Sequence, residues 1–158
     1  MSTPVPELIL QALAHGIHGN PERGLHLIQP LVDEGPRSTY ALLGALAETA
    51  SRQARETRDA LEVGGTDVMF GIEIEGPEGL ASAQVLPAPL RFAVQFVTAW
   101  ANRDQDTAHA LFWALAEPSD RLGTDDLATV IGIVFDMAVL GAEATLIERR
   151  TRTGDTPQ

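Results

Sequence analysis

Apolar residues recur along most of this chain at three- and four-residue intervals, the spacing of one face of an α-helix. The densest such stretch runs from Pro87 to Glu117. Phe92, Phe96 and Trp100 stand one above another there, and Leu90, Val94 and Val97 widen the stripe. Asn102 is placed to cap a second helix, on which Ala108, Leu111, Phe112 and Leu115 share a face. Both tryptophans and three of the five phenylalanines lie in this stretch, so a helical hairpin is predicted as the core.

The same spacing predicts a first helix from Glu7 to about His18, with Leu8, Ile9, Ala12, Leu13 and Ile17 buried. Asn20-Pro21 starts a second, since a capping side chain is followed by a proline whose φ suits the first helical position. Pro30 is expected to kink or end it early, because proline lacks a donor and clashes one turn back. Ser38 is the expected cap of a long third helix to Glu62, stopped by Gly64-Gly65. Pro118 to Gly123 reads as a loop. Thr124, with Asp125 and Asp126, then opens a last helix, apolar nearly all round from Leu127 to Ile147. Its polar positions (Asp125, Thr129, Gly132, Asp136 and Glu143) share one narrow arc, so a central helix with a thin polar seam is predicted.

Between the third and fourth helices the period changes. In DVMFGIEIEG, Val68, Phe70, Ile72 and Ile74 alternate with Met69, Gly71, Glu73 and Glu75, a two-residue repeat. Gly76-Pro77-Glu78-Gly79 is turn chemistry, and Leu80 to Leu86 supplies a return strand. The expectation is therefore a mainly α fold of about six helices, with one β-hairpin inserted near 67–86. The order Pro6, Asn20, Ser38 is echoed by Pro89, Asn102, Thr124 at about 82 to 86 residues, suggesting two three-helix units.

Composition narrows the function. One domain over 1–158 is expected, with 1–5 and 151–158 as flexible ends. Cysteine and lysine are both absent, which excludes disulfides, thiolate metal sites, thiol nucleophiles and Schiff-base lysines. A net charge of −11 disfavours general binding to nucleic acid or to an anionic membrane surface. The run Leu127 to Ala142 reads as too short to span a bilayer, and the N-terminus lacks a signal peptide's basic start. A cytoplasmic protein is the default expectation.

Candidate chemistry is sparse. His15, His18 and His26, near Glu22, are the nearest approach to a metal set, but they lack the tight spacing of a closed shell and read as surface histidines. His109 and Trp113, four apart on one helix, form either an aromatic anchor for a partner or part of the core. Asp136, among Val134, Phe135 and Met137, is either a buried acid or a residue of the solvent seam; the narrow polar arc favours the seam. Nucleophile-elbow, phosphate-loop and dinucleotide patterns do not occur, so no catalytic residue and no cofactor is predicted.

These observations fit a small acidic protein-interaction or adaptor protein, without catalysis, that self-associates or inhibits a basic partner. Its expected contact surface is His109, Trp113, and the strand residues Val68, Phe70, Ile72 and Ile74, through which a homodimer could form. An alternative is a ligand-binding or enzymatic domain with a pocket between the helical units. Another is a regulator, since helices followed by a hairpin echo a winged helix-turn-helix, although the acidic charge opposes it.

Overall fold

Two prolines begin the first helix of each half. Pro4 and Pro87 occupy the N-cap positions in nearly the same extended conformation, and each offers its carbonyl to the first helical turn. The computed structural model describes residues 3–62, 74–76, 79–81, 87–122 and 126–152, with side-chain surroundings described for 3–52, 87–117 and 126–152. Among them are six helices: α1 (Val5–Ile17), α2 (Pro21–Asp33), α3 (Pro36–Glu62), α4 (Ala88–Ala101), α5 (Gln105–Leu122) and α6 (Asp126–Arg152).

The halves run alike. Each has two shorter helices and then one of 27 residues. The α1–α2 and α4–α5 turns are built from corresponding hydrogen bonds. His18 N–H donates to Ala14 and Asn20 N–H to His15 in the first; Asn102 N–H donates to Thr98 and Asp104 N–H to Ala99 in the second. The middle residue of each turn has a positive φ: 84° at Gly19, where glycine adopts it freely, and 59° at Arg103.

Burial follows the apolar spacing. Ile9, Ala12 and Leu13 of α1, and Ile28 and Leu31 of α2, are buried, as are Leu42, Leu43, Leu46 and Ala47 of α3. Phe96, Phe112 and Phe135 are fully enclosed, one each from α4, α5 and α6. α6 makes its most extensive contact with α3 and also packs on α1 and α4, so the two long helices form the spine of the core.

Several expectations are corrected. The packed body is all-helical, and an inserted β-hairpin over 67–86 is not supported. Extended pairing within the described residues of that stretch is limited to Ile74–Gly76 against Gly79–Ala81, with Glu75 opposite Leu80. Three residues a side form a ribbon too short to be a packing layer. Gly64, Gly65, Val68, Phe70, Ile72 and the return strand beyond Ala81 lie outside the described residues.

Helix α3 starts at Pro36 rather than after Ser38. Gly35, at φ 125°, turns the chain, and its carbonyl accepts both the Thr39 N–H at 3.0 Å and the Thr39 hydroxyl at 2.9 Å. Pro30 does not end α2, which continues to Asp33. It is exposed and lies in the last turn, so only three helical residues follow it. α5 likewise runs through Pro118 to Leu122. Asn102 is the C-cap of α4 instead of the N-cap of α5; Asp104 takes the latter role. At the chain ends, Val5 is already helical and α6 reaches Arg152.

Candidate functional site

The α4–α5 hairpin presents an aromatic wall to α3. Phe92, Phe96 and Trp100 stack successively along α4, with ring centroids 6.0 Å apart at each step. Tyr40 of α3 meets this wall edge-on at 6.3 Å from Phe96. Across the packing of α3 and α4, the Trp100 indole N–H donates to Glu48 Oε2 at 2.8 Å. This bond joins a half-buried polar group to a carboxylate distant in sequence, and no local pattern announces it.

His109 and Trp113 sit at the outer end of the wall. The Trp113 indole N–H donates to His109 Nε2 at 2.8 Å, which requires an unprotonated nitrogen at that atom. The Tyr40 ring stands edge-on to His109 at 5.3 Å, and Phe112 packs against Trp113 at 5.4 Å. His109 is exposed and Trp113 half-buried, so the pair forms the rim of the aromatic cluster. Burial raises the Tyr40 phenol above its ordinary pKa, and the Asp106 carboxylate raises it further.

The three N-terminal histidines do not make a comparable cluster. His15 is half-buried at the end of α1, whereas His18 and His26 are exposed, and no group of three or more His, Cys, Asp or Glu among the described residues is placed to hold a metal ion. Asp136 is exposed on the outer face of α6. Of the strand residues proposed for contact, Ile74 alone is described, paired with Ala81.

Helix α6 departs most from expectation. It buries Val130, Ile131, Val134, Phe135 and Ala138, but its opposite side is broader than a thin polar seam. Leu140 and Ile147 are 66% and 64% exposed, beside Asp136 on the same outer side. By length and composition α6 is also long and apolar enough to cross a membrane, correcting the expectation from the shorter run Leu127 to Ala142. Only 28% of its most apolar 18-residue window is buried within the fold, so much of that surface is available for contact.

The exposed row has a signal that a scan for amphipathic faces passes over. Ile133, Leu140 and Ile147 recur at intervals of seven, with Met137 and Ala144 between them. No family model, curated protein or solved structure matches this chain.

Proposed function

We propose that this chain is a non-catalytic protein-interaction module whose contact surface is the outward row of α6. One observation carries the reading: Leu140 and Ile147, both large and apolar, stand two turns apart and mostly in water on a helix whose other side is core. Contiguous exposed apolar surface on an otherwise well-buried domain marks interaction sites, and its burial on contact is favourable by about 25 cal/mol per Å². His109 and Trp113 are a secondary contact candidate, since an exposed imidazole beside a half-buried indole offers an aromatic rim with a remaining ring donor.

Affinity co-purification from the native cell tests the reading, comparing the unmodified chain with a Leu140→Glu, Ile147→Glu variant. A species identified by mass should be retained by the first and lost with the second, while helical content is the same in both. Stabilisation by a metal or metabolite in a thermal-shift panel, undiminished in the variant, would overturn it and support a ligand-binding or catalytic domain instead.

A further inference from the structure

We propose that the occupant of the α6 row is a second copy of this chain, with the two α6 helices antiparallel and crossing at Leu140. The proposal rests on the reading of α6 as an interaction surface. Ile133, Met137, Leu140, Ala144 and Ile147 follow one another at alternating steps of four and three residues. That is the spacing of a seam between two helices, because it keeps one side chain per half-heptad facing a partner helix along its length. Ile133, Met137 and Ala144 are half-buried at the margin of the core, and Leu140 and Ile147 stand out from it. Hydrocarbon needs no such spacing, and it would have to accommodate exposed Asp136 on the same side of the helix.

Charge selects the partner and the direction. The whole chain carries −11, so two copies repel over most of their surfaces. Along α6, Asp126, Asp136, Glu143 and Glu148 are nearly balanced by Arg149, Arg150 and Arg152. This is where two copies repel least, whereas a basic partner would be drawn to the rest of the surface and repelled by the arginine end. The signs are also unevenly placed: the first half of the helix carries Asp126 and Asp136 and no arginine, whereas the second carries Arg149, Arg150 and Arg152 against Glu143 and Glu148.

Antiparallel pairing lays each arginine end near Asp126 of the other copy, sets the acidic half of one helix along the half that carries the arginines in the other, and opposes the two helix dipoles; parallel pairing sets the two acidic halves together and the two arginine ends together. A two-fold axis at Leu140 brings Leu140 against its own counterpart and Ile133 against the second copy's Ile147, so these three positions complement themselves, while Met137 and Ala144 come level with Glu143 and Asp136 of the second copy.

The absence of cysteine makes the test direct. Light scattering on the full chain over a concentration series should give twice the monomer mass of 16.9 kDa. Leu140→Glu and Ile147→Glu should each return it to that mass with helical content retained, as both positions are largely exposed. Under oxidation or a short bismaleimide, Leu140→Cys should link to itself. Ile133→Cys should link to Ile147→Cys when the two are mixed, and neither should link alone.

Four results would overturn the proposal: a monomer at the highest concentration reached, a dimer surviving both glutamate variants, self-linking of Ile133→Cys, or a monomer in which Leu140→Cys resists alkylation because the chain's own residues cover it. A monomer that still captures another protein through Leu140 would remove the second copy as partner and leave the interaction reading intact.

Discussion

Trp100 and Glu48 are joined by an indole-to-carboxylate hydrogen bond of 2.8 Å that ties α4 to α3. One turn earlier on α3, Gly44 lies under the same ring: a Cβ built there would stand 2.7 Å from Trp100 Cη2 and 3.2 Å from Cζ2. Glycine thus sets the approach of the two helices, and the carboxylate fixes the rotation of the indole. Gly44→Ala should destabilise the fold by about 1–3 kcal/mol in urea unfolding, the usual cost of overpacking. Glu48→Ala should cost about 1 kcal/mol, the low end for an orphaned donor because Trp100 is only half-buried, and should shift its fluorescence.

The corresponding joint in the other half exchanges large and small. Gly16 of α1 faces Phe135 and Val139 of α6, and a Cβ on it would stand 2.4 Å from Val139 Cγ2 and 3.4 Å from the Phe135 ring. Here the bulk comes from the long helix and the gap from the short one, the reverse of Trp100 on Gly44. Phe135 is fully enclosed, so Phe135→Ala should cost about 3–5 kcal/mol, more than Gly16→Ala or Gly44→Ala. Equal losses in the three variants would mean that the site around Phe135 collapses to fill the space.

What the sequence shows of this arrangement is its local part. Phe92, Phe96 and Trp100 reveal the inward side of α4 because helix periodicity depends only on neighbours three and four apart. Asn20-Pro21 marks the start of α2 for the same reason, although the Asn20 side chain makes no capping bond. The alternation around Ile72 fails as a guide because strand pairing needs a partner, and only three residues on each side find one within the described ribbon. The α4–α5 turn is misplaced by two residues because Arg103, between two capping-competent side chains, adopts a left-handed conformation that arginine seldom signals. A helix apolar on nearly every side conceals which side its neighbours cover; hence Leu140 and Ile147 are legible as apolar but not as exposed. Trp100 and Glu48 meet only through tertiary packing.

Asp104 offers a test of the corrected turn. Its carboxylate accepts the Thr107 hydroxyl at 2.6 Å and the Thr107 backbone N–H at 3.1 Å. These bonds, the hydroxyl first, hold its pKa below the ordinary aspartate value despite a small opposing effect of burial. A carboxyl depressed in the folded state stabilises it above the ordinary aspartate range, and that stability is lost as pH falls through the depressed value. Asp104→Ala should therefore lower the melting temperature by roughly 2–4 °C at neutral pH and flatten the acid limb of the stability profile. Asn102→Ala should leave that limb in place.

Tyr40, the sole tyrosine, reports on the aromatic wall without interference from another phenol. Its ring meets Phe96 and Trp100 at 6.3 Å and His109 and Phe112 at 5.3 Å. Burial among these rings disfavours the phenolate, and the Asp106 carboxylate opposes it as well, so the pKa lies above its ordinary value near 10. The folded state then holds the proton more tightly than the unfolded one. The stability this contributes is fully present below the ordinary tyrosine value and is lost as pH rises through the folded one. Tyrosinate absorbance should accordingly appear at higher pH in the native protein than in the urea-unfolded chain. Asp106→Asn should return the midpoint only part of the way, because burial is the larger cause. Tyr40→Phe keeps the ring packing and should abolish this contribution to the alkaline loss of stability. A native titration coincident with the unfolded one would show that water reaches the Tyr40 hydroxyl freely, and that the wall of α4 and α5 does not close over it.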